Sequence, residues 1–533
     1  MKGIEFMKNR KILVFIIMAL LVYPLFFFRD LTPDNELKYI SIVTEALDKG
    51  NIFAFYNHGI PYADKPPLYF WIIMMVKNIM GSYSVPAIGI FSLLPALLIL
   101  IVMSRWSSSV LDEGDQTLAS GMLFTTAIFL GGGLVLRMDM LMTLFIVLAL
   151  FSFYRCYTET GKSWEPYLVW VWIFLALFTK GPLGILIPLV SIIVFLTAEK
   201  KLSKIRQYLP LRGLIILVSL TVIWLSLVYF EGGKGYLYNL TVKQTVGRGV
   251  NSFKHKRPFY YYFTGSLASF LPWSLFYVTT FILGIKNRSN AGLLEKFFRT
   301  VVISTFILLS FISSKLEIYL LPAYPFVAFL SVLQFRRLSK EKYWKWCAAL
   351  PGLLLFLIFP GIFAAAFLNK LPFEITFLFY SGLLFVSLAG IYSLLHIEKG
   401  NFKKSFWGII FGMLFLIFSI SMNLEDLNSE IGLKALAEKG QEIKSKKIAS
   451  SFYAFNFEKS ENMDVYLHEP VININDLDSL HKVIREKNII LFVRTKDIKR
   501  NQELKNTLSN FNKFKIGSNY LYQVSSEESE VIP

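Results

Sequence analysis

The feature that most constrains this chain is a series of apolar runs, each of about 17–25 residues, that recurs between positions 11 and 423. A run of that length crosses about 30 Å of hydrocarbon as a helix, which satisfies its own backbone polar groups where no water can. Apolar length and flanking charge together predict about thirteen spans, at 11–28, 84–104, 117–135, 138–156, 166–179, 181–198, 212–230, 262–284, 297–313, 317–335, 346–368, 373–396 and 405–423. Composition agrees: 54% hydrophobic and 17% charged residues, with a mean hydropathy of +0.51, are too apolar for a soluble protein of 533 residues. The first run follows Lys2, Lys8, Arg10 and Lys11, a charge order also found in signal peptides. Phe26-Phe27-Phe28-Arg29-Asp30 offers no small-residue cleavage site, so the run is read as a retained first span.

A net charge of +18 raises the question of nucleic acid. The lysines and arginines gather instead at span ends, where they fix topology and meet anionic headgroups, so membrane lipids are the expected partner and nucleic acid is not. With the N-terminus inside, the basic clusters at 2–11, 200–206, 336–345 and 399–404 all fall on the cytoplasmic side. The same topology sends the insert at 29–83, the turn before Asp139, the 178–182 turn, the loop at 231–261 and the 313–316 turn to the outer face. An odd span count puts the tail outside as well. Cys156 and Cys347 lie far apart near span ends, which implies neither a disulfide framework nor a cysteine metal site.

From about 424 onward the chain returns to soluble composition. Strands are expected at 446–455, 464–467, 488–494 and 520–524, with a helix at 475–486, so the reading is a membrane domain over 1–423 and a small α/β domain over 424–533. The tail carries no catalytic signature. In the insert, apolar residues recur at helical spacing over 37–47 after Pro33, and Pro66-Pro67 stiffens the chain before an apolar stretch at 68–76 too short to span; two interfacial helices framing a cleft are expected. Gly131-Gly132-Gly133 has no preceding strand and is not a nucleotide-binding loop, so no nucleotide cofactor is expected.

The polar residues that stand out all belong to the outer-face segments. Asp34, Asn35, Glu36 and Lys38 crowd the start of a surface helix, where capping explains them as well as catalysis does. Asp64-Lys65 is presented by a rigid turn, as a headgroup anchor or as a site for a lipid phosphate. Arg137 and Asp139 sit at a span edge, where intramembrane charge is costly and is either self-neutralising or functional. Lys180, in Thr179-Lys180-Gly181-Pro182, is a turn lysine or a phosphate counter-ion. His255, in a basic stretch that runs through Arg257 into an aromatic belt, could ligate a metal with a distant carboxylate, and Tyr319 is belt or binder.

The order of these motifs resembles the bacterial aminoarabinose transferases of lipid A, relatives of the protein O-mannosyltransferases in the GT-C glycosyltransferase superfamily. The likeness is carried by the polar first loop, Tyr62-Ala63-Asp64-Lys65-Pro66-Pro67-Leu68, the loop Asp139, Thr179-Lys180-Gly181-Pro182, His255-Lys256-Arg257-Pro258-Phe259-Tyr260-Tyr261 and Ser314-Lys315-Leu316-Glu317-Ile318-Tyr319-Leu320-Leu321-Pro322. It covers roughly 11–423, the tail only in position, and implies a polytopic α-helical GT-C fold. It also implies an enzyme of the bacterial inner membrane that moves a sugar from a polyprenyl (undecaprenyl) phosphate to a lipid A-type, other envelope or protein acceptor at the outer face.

The resemblance further implies roles. Asp64 falls where the family usually has a Glu, and with His255 it would hold a divalent cation such as Zn, Mg or Mn. Lys65, Lys180, Arg257, Tyr319 and Lys38 would meet the donor phosphate, and Asp139 falls on a functional aspartate, counted with the catalytic carboxylates. The family writes Asp-Glu-x-Arg-Tyr in its first loop, whereas this chain has Asn35-Glu36-Leu37-Lys38-Tyr39. Either Asp34 supplies the base in a shifted register, or Glu36 does, or the base is absent. A monomer is expected. Two other classes stand beside this one: a transporter, which should place polar residues near mid-membrane in paired broken helices, and a non-catalytic lipid-binding scaffold, which should tolerate joint loss of Asp64 and His255.

Overall fold

Helix occupies each of the expected apolar stretches in the computed structural model, which describes residues 2–247, 257–338, 343–368, 376–446, 451–486 and 488–524. The chain divides into two compact units: Met1–Phe27 with Ile52–Ala54 and Tyr62–Ser421, and Phe28–Asn51 with Phe55–Pro61 and Met422–Pro533. Residues 28–51 and 55–61 of the insert therefore cluster with the tail.

The first unit is a multi-pass membrane bundle. Its helices are α1 (Lys2–Val22), α2 (Leu68–Met80), α3 (Val85–Ser107), α4 (Glu113–Phe124), α5 (Ala127–Leu134), α6 (Asp139–Tyr157), α7 (Glu165–Lys180) and α8 (Leu183–Ala198). They continue as α9 (Leu211–Tyr238), α10 (Tyr261–Ser269), α11 (Ser274–Lys286), α12 (Leu293–Phe311), α13 (Tyr324–Arg337), α14 (Trp344–Phe367), α15 (Phe377–Glu398) and α16 (Phe402–Ser421). Among the described residues, eight helices are long and apolar enough to cross a bilayer, or nine if the bent pair α4–α5 is one span. The segment Glu317–Arg337 is the centre of the bundle, with 89% of its apolar window buried. Beside the site, α7 and α8 approach so closely that a Cβ on Gly184 would lie 2.4 Å from the Ala176 carbonyl carbon, a contact only glycine permits.

Two expected single spans are broken. The 117–135 stretch bends by 70° between α4 and α5. Thr125 and Thr126 cause it: each hydroxyl donates back to the carbonyl four residues earlier, at 2.8 Å. The bend is then fixed from outside, because Trp273 Nε1 donates to Thr125 Oγ1 at 3.0 Å and the Tyr277 and Thr126 hydroxyls pair at 2.9 Å. The 262–284 stretch divides into α10 and α11 at 270–273, where Pro272 has no N–H to continue the ladder.

At the far end of the bundle from Lys180, Lys11 reaches Gln116 at 2.7 Å and Glu113 at 3.3 Å, and Lys403 reaches Asp115 at 2.6 Å. The acidic loop at 112–115 is thus neutralised by two of the basic clusters from which topology was read.

In the second unit, β1 (Ser451–Phe455), β2 (Val471–Ile474), β3 (Ile489–Arg494), β4 (Asn512–Ile516) and β5 (Asn519–Val524) form one sheet in the order β2-β1-β3-β5-β4. β1 is parallel to both β2 and β3, and β5 is antiparallel to β3 and β4. The helix Leu477–Glu486 covers one face through Leu480 and Ile484, packed with Leu491 and Val493. This is the expected small α/β domain with one correction: Asp464–Leu467 is a helical turn, not a strand. Tyr466 in that turn donates to Asp30 Oδ1 at 2.7 Å, and the strand beside β1 is instead Val471–Ile474, which the sequence reading missed along with Asn512–Ile516. Asp30 also accepts the Lys434 N–H at 2.9 Å, so the start of the insert is knitted into the tail. The insert helix Lys38–Lys49 forms as expected, but its apolar face, Tyr39, Ile40, Ile42, Val43 and Ala46, is buried rather than laid on lipid.

Candidate active site

Three chain turns bring the charged residues of the first unit together. Pro66-Pro67 ends the loop and starts α2, holding Asp64 and Lys65 half-buried just before it. Asp139 opens α6, where a carboxylate suits the positive end of the helix dipole. Lys180 closes α7, and the chain reverses at Gly181, whose φ of 101° falls where an L side chain is strained.

Asp139 is 1% exposed and fully engaged: Lys180 Nζ pairs with Oδ1, and Arg137 Nε donates to Oδ2 at 3.0 Å. Both carboxylate oxygens are turned to cations, so Asp139, expected among the catalytic carboxylates, is built as a counter-ion. Lys180, 6% exposed, also has its ammonium 4.8 Å from the centroid of the Tyr319 ring. A buried lysine with one carboxylate and one π face is held in place with its remaining field directed into the space beside it.

That space is a cavity of about 480 Å³ whose charged and polar lining includes Asp64, Lys65, Lys180, Ser314 and Tyr319. Its walls are apolar, from Leu177 of α7, Ile185 and Leu186 of α8 and Trp224 and Leu225 of α9. Lys65, Lys180 and Tyr319, singled out separately in the sequence, therefore line one cavity, with Asp64 among its lining residues. Thr221, Trp224, Leu240 and Thr241 also line it and were missed by the sequence reading. Thr221 and Trp224 lie inside an apolar run where nothing distinguishes a wall facing a ligand from one facing lipid.

Other expected residues stand elsewhere. Arg257 is exposed, 5.8 Å from the Tyr261 ring centroid, and does not line this cavity. Its carbonyl accepts from Lys315, which is buried and also donates to Ile312 O at 2.6 Å, tying the 312–316 turn to the start of α10. His255 lies outside the described residues. Among those described, no group of three or more His, Cys, Asp or Glu could hold a metal ion. Asp64 places a carboxylate in the cavity lining.

Asp34, Glu36 and Lys38 belong to the second unit. Residues 33–37 form a π turn in which Leu37 N–H reaches back five residues to Thr32 O at 3.1 Å. Such a turn holds one residue more than an α turn, the kind of register displacement that Asn35 raised. Glu36 is 1% exposed and takes a two-pronged pair from Arg29 at 2.6 and 2.7 Å, plus the Thr32 N–H and hydroxyl at 2.7 and 2.9 Å. Asp34 is 66% exposed and pairs with Lys459. Lys38 is half-buried at the start of its helix.

Comparison with known proteins agrees with the resemblance read from motif order. A family model described as dolichyl-phosphate-mannose-protein mannosyltransferase matches residues 64–224, from the Asp64 turn to Trp224 in the cavity wall. An undecaprenyl phosphate-alpha-4-amino-4-deoxy-L-arabinose arabinosyl transferase of Enterobacter sp. (strain 638) is 27% identical over 57% of this chain and 55% of its own length. An uncharacterised protein of Aquifex aeolicus is 26% identical over 58% of this chain and 60% of its own. The chain thus spans little more than half the length of these relatives. The fold is that of ArnT from Cupriavidus metallidurans, solved bound to undecaprenyl phosphate: TM-score 0.74 at 16% identity, over 97% of this chain and 98% of that one.

Proposed function

We propose that this protein is an integral membrane glycosyltransferase that takes a sugar from undecaprenyl phosphate or a similar polyprenyl phosphate and transfers it to a lipid A-type or other envelope acceptor. The reaction would run at the outer face of the bacterial inner membrane, and the enzyme would act as a monomer. The observation that carries the reading is the cavity itself, lined by two lysines and by apolar helix walls within a membrane bundle. That is the complement of a phosphate on a long isoprenoid.

In the transfer, the bond from the sugar to the phosphate oxygen breaks and negative charge gathers on the leaving phosphate. Lys65 and Lys180 meet that charge, and a pre-set cation in an apolar surround costs no reorganisation as the charge develops. Asp139, Arg137 and Tyr319 hold Lys180 in its place. Asp34, the exposed carboxylate of the two first-loop candidates, is the proposed base where the acceptor is a hydroxyl; Glu36 is a structural partner of Arg29. A divalent cation, held by Asp64 and His255, would add positive charge at the leaving phosphate.

The test is turnover of a radiolabelled undecaprenyl-phosphate sugar by purified protein, with 4-amino-4-deoxy-L-arabinose as the first sugar tried. Lys65→Ala and Lys180→Ala should each lower kcat/KM by about 10²-fold or more, the loss typical of removing one preorganised charge-stabilising group, while membrane insertion is unchanged. Wild-type turnover in both variants would remove the phosphate clamp.

A further inference from the structure

Glu231 lies near the end of α9, and its carboxylate is filled by backbone. Ile52, Phe53 and Ala54 donate successive main-chain N–H groups to Oε1 at 2.8, 3.0 and 2.9 Å, and Phe53 also reaches Oε2 at 3.1 Å. Three consecutive N–H groups turned to one side form a nest for an anion, here occupied by a side chain of the same unit. The approach needs a small residue: a Cβ on Gly232 would lie 2.7 Å from that of Ala54.

Directly afterwards α9 breaks at Gly233, with φ 74° and ψ 179°, and Tyr236 donates its hydroxyl to Tyr62 O at 2.9 Å, two residues before Asp64. On the other side, Trp71 Nε1 donates to Ile52 O at 2.7 Å. Its ring then meets Phe178, and Phe178 meets Trp224 of the cavity wall, both at 5.3 Å between centroids. The end of α9 therefore grips the chain that presents Asp64 and Lys65, while the body of α9 supplies part of the cavity wall through Thr221 and Trp224.

We infer that Glu231 is a positioning residue: its carboxylate latches Ile52–Ala54 to α9 and so sets the distance between the Lys65 turn and the α9 wall of the cavity. The inference rests on the proposed reading that this cavity takes a polyprenyl phosphate. Glu231 touches neither the phosphate nor the reacting atoms, and acts through Lys65.

The experiment uses the full-length protein in detergent, with hydrogen exchange followed at 52–54 and 62–65 and undecaprenyl phosphate binding measured by native mass spectrometry. Glu231→Ala should raise exchange at both segments and weaken binding by about tenfold or more, the scale of lost charge-assisted hydrogen bonds. Glu231→Gln keeps an oxygen able to take the three Oε1 contacts, and should return protection and bring affinity to within about threefold of wild type. Unchanged exchange in Glu231→Ala overturns the latch, and raised exchange with wild-type affinity overturns its positioning role. Should Glu231→Ala not fold, Tyr236→Phe carries the test: it removes only the hydroxyl on Tyr62 O, and weaker binding at an unchanged Tm is expected, equal binding being the contrary result. If the wild-type protein fails to bind undecaprenyl phosphate while Glu231→Ala still loosens 52–54, the functional reading falls and takes the positioning role with it, leaving the latch as an element of the fold.

Discussion

At the scale of single residues, the two first-loop carboxylates are separated by burial. Glu36 is enclosed and doubly paired with Arg29, a guanidinium itself only 9% exposed, so Glu36→Gln removes the negative charge from a buried two-pronged pair. Breaking such a pair costs about 3–5 kcal/mol, and the expected result is a lowered Tm with activity falling in step. Asp34 is exposed, and Asp34→Asn should leave Tm unchanged. For a hydroxyl acceptor its turnover should fall by about 10²-fold or more, the usual worth of a general base. Full turnover in Asp34→Asn would remove it as the base and point to an acceptor that arrives already ionised. Sequence alone left these two residues equivalent, because capping and catalysis ask for the same side chains at a helix start. Lys65, Lys180 and Tyr319 were legible for the opposite reason: a charge or a hydroxyl beside an apolar span has few inexpensive explanations. Glu231 was not legible at all, since its partners are main-chain N–H groups, which any residue supplies, and a carboxylate at the end of an apolar run reads as an ordinary interfacial flank.

At the scale of elements, the membrane helices follow from apolar length, and the breaks within them do not. Thr125 and Thr126 are permissible in a straight span; what turns them into a 70° bend is the pair Trp273 and Tyr277, about 150 residues away, which no local pattern reports. The turn Asp464–Leu467 misled in the same way, its strand-like Val-Tyr-Leu being recruited by Asp30 through Tyr466. Asp464 gives this element a pH signature. Its Oδ2 accepts from Ser41 at 3.2 Å and lies 3.8 Å from His58 Nδ1, with Glu45 adding negative charge nearby. Burial pushes its carboxyl above the ordinary 3.8, opposed by His58 and the Ser41 hydrogen bond. The folded state therefore keeps the Asp464 proton to higher pH than the unfolded chain does. The stability this contributes is complete below 3.8 and is lost as pH rises through the folded-state value. Thermal unfolding of the wild type should accordingly lose ground to Asp464→Asn as pH is raised from 3.8 toward neutrality; parallel curves would show that the carboxyl is not raised.

At the scale of the whole molecule, orientation is the property that sequence carries most directly, because the basic clusters act on topology through their charge and need no folded partner. The acidic loop at 112–115 lies on the same expected side as the basic clusters, and acidic residues weigh little in setting orientation. In the structure Lys11 and Lys403 neutralise it, so an acidic loop and two basic clusters share one end of the bundle without conflict. With that end inside, as the basic clusters predict, the 200–206 loop is expected on the cytoplasmic side and the Asp64, Lys180 and Tyr319 turns on the outer side, and the odd span count read from the sequence puts the tail outside as well. A membrane-impermeant maleimide can decide this in intact spheroplasts, using exposed positions in a background of Cys156→Ser and Cys347→Ser. Ser509→Cys in the tail should label without permeabilisation, and Ser203→Cys only after it. Labelling of Ser203→Cys without permeabilisation would place the lysine cavity, at the other end of the same bundle, on the cytoplasmic face, where a polyprenyl-phosphate sugar presented to the envelope side could not reach it, and the proposed reaction would fall on topology before any residue was tested.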